Sequence, residues 1–173
     1  MNPVTASFEA LGVSSDLIAR LAADGIDAPF AIQELTIRDG LAGRDVCGKA
    51  KTGSGKTLAF GLPLVQRVGK AEPHKPTGLV LVPTRELANQ VSEVLTPLAK
   101  VTGRSVQTVY GGVGFEPQRE ALQRGVDILV ATPGRLIDLM EHRDVQFDKI
   151  EVLVLDEADR MLDMGFSLSL IHI

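Results

Sequence analysis

Two short segments of this chain carry the residue types that phosphate chemistry needs. The first is Ala50-Lys51-Thr52-Gly53-Ser54-Gly55-Lys56-Thr57. Gly53 and Gly55 let the backbone bend so that N–H groups point inward at anionic oxygens, alongside the small side chains of Thr52 and Ser54. A helix starting near Lys56 adds the positive end of its dipole. Lys56 is placed to neutralise β/γ-phosphate charge, and Thr57 to offer a hydroxyl to Mg²⁺. The pattern is that of a phosphate-binding loop with Ala50 in the first glycine position. The second segment is Asp156-Glu157-Ala158-Asp159, directly after the apolar run Val152-Leu153-Val154-Leu155. A carboxylate at the end of a buried strand suits Mg²⁺, which makes Asp156 and Thr57 the candidate metal ligands. Glu157 beside it can orient or deprotonate an attacking water. Taken alone, the first segment is also an ordinary loop of small residues, and the second also suits a solvated helix start. Taken together they describe a nucleoside triphosphate site, with Lys56, Asp156 and Glu157 as its catalytic candidates.

The elements that must position these residues alternate along the chain. Leu17, Ile18 and Leu21 form a short apolar helical face after Ser14-Ser15, an expected N-cap. A second helix is expected from Pro29 towards Leu41. Asp45-Val46-Cys47-Gly48 reads as a short buried strand before the glycine-rich turn, and a helix follows from Lys56 to about Val68. Pro73, Pro76 and Gly78 bracket a surface loop. Leu79–Val82, Val106–Tyr110, Ile128–Val130 and Val152–Leu155 are apolar runs of strand length. Helices are expected between them, from Arg85 to about Leu98, around Gln118 to Gln123, and from Gly134 to about His142. Continuous apolar strands alternating with helices indicate an α/β fold with a parallel sheet covered on both faces.

Composition narrows the class. The chain has 173 residues, 45% of them hydrophobic, enough for one domain with a real core. A net charge of −4 gives no overall basic surface, so nucleic-acid binding has to come from local groups. The only cysteine, Cys47, excludes an internal disulfide and suits a reducing compartment. The N-terminal residues have no signal-peptide pattern, and no segment approaches the roughly 20 apolar residues of a membrane span. The expectation is a cytoplasmic, monomeric protein with no membrane partner.

With these segments in view the chain resembles the N-terminal RecA-like domain of a DEAD-box RNA helicase, over roughly residues 8 to 166. Asp156 to Asp159 spell the name of that family. Further matches are Pro83-Thr84-Arg85-Glu86-Leu87-Ala88, Gly111-Gly112 and Thr132-Pro133-Gly134-Arg135, all in the family's order. The stretch Gly25 to Gln33 resembles its adenine-recognising Q motif. The resemblance implies a RecA-like P-loop NTPase fold using ATP and Mg²⁺. It implies that Gln33 reads adenine through its amide and that Phe8 stacks on the base, adding both to the nucleotide-binding set of Thr52 to Thr57. On residue type alone, Gln33 reads as a surface helix glutamine and Phe8 as a core aromatic. The resemblance also implies RNA-backbone contacts from Pro83, Thr84, Arg85, Gly111, Gly112, Thr132, Pro133, Gly134 and Arg135. Strand-to-helix turns of this kind bind phosphates without reading sequence. Plain helix capping by Thr84 and Thr132 is the competing account.

Departures from the family matter equally. Lys51 stands where the family usually has Gln, and Phe30 where the Q motif usually has a small hydroxyl residue that helps fix the loop. After Phe166 the family continues to a Ser-Ala-Thr motif, the partner of Asp159 in coupling the motifs. Here Ser167 to Ile173 follows instead, which reads as a non-native tail. The expected organisation is therefore an N-terminal extension with the Q motif over 1–41, an incomplete RecA-like domain over 42–166, and the tail 167–173. The sheet is expected to miss its C-terminal strands, one of which would insert between the Val152–Leu155 strand and the phosphate-loop strand. The family's second RecA-like domain is likewise expected to lie outside this chain.

The function expected on this reading is that of an ATP-dependent RNA helicase. In the intact two-domain protein it separates short duplexes by ATP-driven clamp closure, while the fragment is expected to be inactive as a helicase. Two other classes stay open: a non-catalytic nucleotide- or RNA-binding fragment, and a DNA-directed ATPase of the same superfamily.

Overall fold

Small apolar side chains at helical and strand spacing determine where the elements form. The computed structural model describes residues 6–51, 53 and 55–165. They fall in two compact units, one within Met1–Arg67 and Pro97–Gly103, the other within Val68–Thr96 and Arg104–Ile173.

The first unit contains α1 (Phe8–Leu11), α2 (Ser15–Ala23), α3 (Ala31–Leu41) and α4 (Lys56–Arg67). Ser7 caps α1, its hydroxyl accepting from the Ala10 N–H at 3.1 Å. Ser14 is the N-cap of α2 by position, but its side chain makes no cap bond. Its backbone N–H instead donates to Gln66 Oε1 at 3.0 Å, and Gln66 Nε2 donates to the Gly12 carbonyl at 3.0 Å. Leu17 and Leu21 are buried, as their spacing predicts. α3 lies against α4 where Gly40 faces Pro63, and a Cβ on Gly40 would come within 3.0 Å of Pro63 Cγ. Arg67 Nη1 donates to the Gly40 carbonyl at 3.1 Å and closes the same contact.

The second unit holds the sheet: β1 (Gly78–Leu81), β2 (Val106–Val109), β3 (Ile128–Ala131) and β4 (Val152–Leu155), in the order β2-β3-β1-β4 and all parallel. The register is flush. Gly78 is level with Ile128 and Val152, and Leu81 with Ala131 and Leu155. The remaining helices are α5 (Arg85–Val101), α6 (Glu116–Arg124), α7 (Pro133–Glu141) and α8 (Ala158–Asp163). Leu79, Leu81, Leu129 and Ala131 pack with Leu122 of α6, Leu136 and Leu139 of α7 and Met161 of α8 into one buried cluster.

Three expectations are corrected. Asp45–Gly48 is not a buried strand: it has no ladder partner among the described residues, and Val46 is 45% exposed. A short apolar run becomes a strand only where a neighbour takes up its N–H and C=O groups. Full burial holds for β1 and β3 but not for β2, which is mostly half-buried, nor for β4, which among the described residues pairs with β1 alone and leaves Leu153 and Leu155 close to half exposed. The segment before β1 is not wholly surface, since Pro76, Thr77 and Gly78 are buried. Two helices also run through prolines, α4 at Pro63 and α5 at Pro97, and α5 continues to Val101. The tail 167–173 lies outside the described residues.

The amino-terminal edge of the sheet is tied by Asp127, which is 4% exposed. Its Oδ1 accepts from the Ala71 N–H at 2.6 Å, and its Oδ2 from the Ser105 N–H at 2.8 Å. Truncation leaves two backbone donors without these acceptors. Asp127→Ala is expected to lower stability by about 3 kcal/mol, read as a fall in the urea midpoint with unchanged slope.

Candidate nucleotide and nucleic-acid sites

In the first unit the phosphate loop and the Q motif meet through one side chain. Gly53 and Gly55 have φ of 82° and 79°, the left-handed geometry expected of them. Thr52 and Ser54 lie outside the described residues. Lys56 and Thr57 open α4 and are half-buried. Gln33, at the third position of α3, is 1% exposed, so the surface reading of this residue is corrected. Its Nε2 donates to the Gly55 carbonyl at 3.0 Å, and its Oε1 accepts from the Phe30 N–H at 2.9 Å. Gly55 has no room for a side chain: a Cβ there would strike Gln33 Nε2 and lie 2.7 Å from Phe30 Cδ2. Phe8 is 2% exposed within α1, packed as a core aromatic. Cys47 is exposed and Lys51 is exposed at the start of the loop.

Phe30 is the N-cap of α3, with an extended backbone and no side-chain acceptor. Only the return half of a capping box is therefore made, from the Phe30 N–H to the Gln33 side chain. The ring itself is 58% exposed. Replacing it with a hydroxyl residue supplies the missing half at little cost in buried area. Phe30→Thr is expected to raise stability by about 1 kcal/mol, measured as a rise in the denaturation midpoint.

In the second unit every motif turn follows the carboxyl end of a strand. Pro83, Thr84 and Arg85 follow β1, Tyr110 to Gly112 follow β2, Thr132 to Arg135 follow β3, and Asp156 to Asp159 follow β4. Pro83, Arg85, Tyr110, Gly111, Thr132, Gly134, Arg135 and Asp138 line one open groove of about 530 Å³. Open parallel sheets offer ligand sites at this edge. Two of the lining residues, Tyr110 and Asp138, are not among the sequence candidates. Tyr110 ends an apolar strand run and Asp138 sits within a helix, so neither carries a local signal. The Arg85 guanidinium lies 4.8 Å from the Tyr110 ring centroid, a cation–π contact.

The two threonines differ. Thr84 Oγ1 accepts from the Leu87 N–H at 3.3 Å, so the capping account holds there. Thr132 makes no side-chain cap bond at the start of α7, and it lines the groove. Gly112 has φ of 83° and is exposed beside Gly111, while Pro133 is buried at the first position of α7. Arg135 is partly committed inward, as described below.

Asp156 is 6% exposed, and its N–H donates to the Leu81 carbonyl at 2.9 Å. Glu157 adopts left-handed φ 54° and ψ 48° as the N-cap of α8, with Oε2 3.4 Å from Arg160 Nη1. Asp159 is exposed, and its Oδ1 accepts from the Arg160 N–H at 3.0 Å. No group of three or more His, Cys, Asp or Glu residues suited to a metal occurs among the described residues. No helix among them is long and apolar enough to cross a membrane.

The model of the DEAD/DEAH box helicase family matches residues 30–173. This chain belongs to that family. It is 46% identical over 159 residues to the DEAD-box ATP-dependent RNA helicase CshA of Streptococcus pneumoniae, covering 92% of this chain and 30% of the relative. It is 44% identical over 163 residues to the ATP-dependent RNA helicase RhlB of Pasteurella multocida, covering 92% and 38%. Among solved structures it is similar to the RNA helicase Prp28 of Chaetomium thermophilum bound to ADP, at 39% identity and a TM-score of 0.89, over 100% of this chain and 43% of that one. A DEAD box protein of Methanococcus jannaschii superposes with a TM-score of 0.87 at 33% identity, over 95% and 45%. The fold is thus the RecA-like α/β fold of DEAD-box helicases. The chain spans about a third of the length of these curated relatives.

Proposed function

We propose that this chain binds ATP at its first unit and an RNA backbone at its second, as one half of an ATP-dependent RNA helicase. The observation that carries the proposal is the groove, on which the turns after β1, β2 and β3 converge with two arginines, a threonine hydroxyl and open glycine backbone, beside the Asp138 carboxylate. These groups suit phosphates and sugars, and they offer little to distinguish bases. The binding therefore needs no net positive charge, in keeping with a net charge of −4.

For the nucleotide, the loop from Gly53 to Thr57 cradles phosphates, with Lys56 neutralising charge. Gln33 reads adenine from the position where its amide already touches the loop carbonyl of Gly55. The hydroxyl of Thr57 and the carboxylate of Asp156 are each a donor of the kind Mg²⁺ takes, since that ion uses few protein ligands. Bound there, the ion would supply charge neutralisation to the nucleotide phosphates. Glu157 positions the attacking water, and Asp159 couples this motif to the rest of the helicase. In the two-domain protein, ATP and RNA draw the domains together, bend one strand, and release it after hydrolysis. The present chain binds without unwinding and turns ATP over poorly.

A fluorescent ATP analogue with Mg²⁺ and a labelled ten-nucleotide uridine RNA test both halves. Lys56→Ala is expected to weaken nucleotide binding at least tenfold and to leave nucleotide-free RNA binding intact. Arg85→Ala is expected to weaken RNA binding about tenfold and to lower its salt slope by about 0.7, one phosphate on a single strand. RNA retention by Arg85→Ala equal to the parent would defeat the groove assignment. RNA-stimulated turnover abolished by Lys56→Ala would defeat the claim of inactivity.

A further inference from the structure

Gln118 belongs to none of the motifs above, yet it is 5% exposed on α6 with both ends of its amide in use. Nε2 donates to the Tyr110 carbonyl at 3.1 Å. Oε1 accepts from Arg135 Nη1 at 3.0 Å. The same guanidinium donates through Nη2 to the Val113 carbonyl at 3.1 Å, and its carbon lies 5.0 Å from the Phe115 ring centroid. Arg119 also approaches Phe115, at 5.7 Å, but its charge is answered by Asp144 at 3.0 Å. The Arg119 guanidinium pairs with the Asp144 carboxylate, which holds it above its ordinary pKa.

The consequence is geometric. Tyr110 and Val113 bracket the Gly111-Gly112 turn after β2, and Arg135 closes the Thr132–Gly134 turn after β3. The Gln118 amide joins the first turn to the second, and the Arg135 guanidinium returns from the second to the first. A carboxylate at position 118 would keep Arg135 but set an acceptor against the Tyr110 carbonyl. An apolar side chain would leave both partners unpaired in a buried place.

We propose that Gln118 is a positioning residue that, with Arg135, locks the Gly111-Gly112 and Thr132–Gly134 turns at a fixed spacing, so that both address one RNA backbone. Arg135 on this account serves chiefly as a brace and secondarily as a phosphate ligand. The proposal rests on the RNA-backbone reading above for its ligand, but the brace itself is a property of the free protein.

The test uses Gln118→Met and Gln118→Glu in this chain, with two readouts. The first is amide hydrogen exchange over residues 111–114 in the absence of RNA, expected to quicken about tenfold in both variants. The second is the affinity for the labelled uridine RNA and its salt dependence, expected to fall about tenfold with a slope smaller by about 0.7. A merely structural role would lower the folded fraction without changing that slope. Exchange within twofold of the parent in a variant that melts cooperatively overturns the brace. Faster exchange with unchanged RNA affinity and slope overturns its role in binding. Should Gln118→Met fail to fold, Gln118→Glu decides, because it retains the partner of Arg135. Should the parent hold no RNA at all, the RNA reading falls and the exchange measurement alone decides the brace.

Discussion

Flush parallel pairing of four short strands is the constraint on which the second unit depends. Because Leu81, Ala131 and Leu155 stand level in the ladders, and Val109 stands level with Ala131, all four strands end on one line. Parallel strands send every following turn off the same edge. The motifs are far apart in sequence, but each needs only to follow its strand directly to arrive at that edge. Register is itself held by burial, since all four residues of β1 and of β3 are buried and a slip would break their packing.

The two edges of the sheet use buried polar groups for different ends. At the amino-terminal edge, Asp127 and Thr77 spend their side chains on backbone groups of Ala71, Ser105 and Gly69. These bonds join chain segments and leave nothing directed outward. At the carboxyl edge, Gln118 and Arg135 hydrogen-bond to each other and to the carbonyls of Tyr110 and Val113, beside the groove that Arg135 also lines. The contrast separates stability from function by position, a division also seen in other parallel α/β architectures.

Much of this was legible in the sequence because motif letters report local backbone demands. Gly53, Gly55 and Gly112 sit at positive φ, and the strand runs at Leu79, Val106, Ile128 and Val152 became strands. The limits lay where an outcome depends on a distant partner. Val46 and Cys47 have strand-like neighbours in sequence, yet an extended run without a ladder stays exposed coil. The apolar run of β4 predicted burial on both faces, but only the row of Val152 and Val154 is partly covered, while Leu153 and Leu155 stay exposed. Gln33 and Gln118 look alike on helices in sequence. Both prove to be buried amides bridging backbone carbonyls to other groups, a role no local pattern marks. Phe30 was legible as a departure, and its effect follows from what a phenyl ring lacks at an N-cap.

Glu157 shows how the edge is bent into a site. Among described non-glycine residues only His74, Arg143 and Glu157 have positive φ. A left-handed residue costs roughly 1 kcal/mol or more relative to an ordinary conformation, and glycine would reduce that cost. A glutamate at this place therefore means that its side chain contributes something the turn alone does not. Only Asp156 and Glu157 separate β4 from α8. Asp156 is buried at the strand end, with its N–H held by Leu81, while the Glu157 side chain remains 24% exposed. One strained residue thus sends adjacent carboxylates into different surroundings, one fixed and dry, one reachable by water. That separation gives two adjacent carboxylates different environments, one shielded at the strand end and one open to solvent, and such a difference in surroundings is what sets neighbouring acids apart chemically.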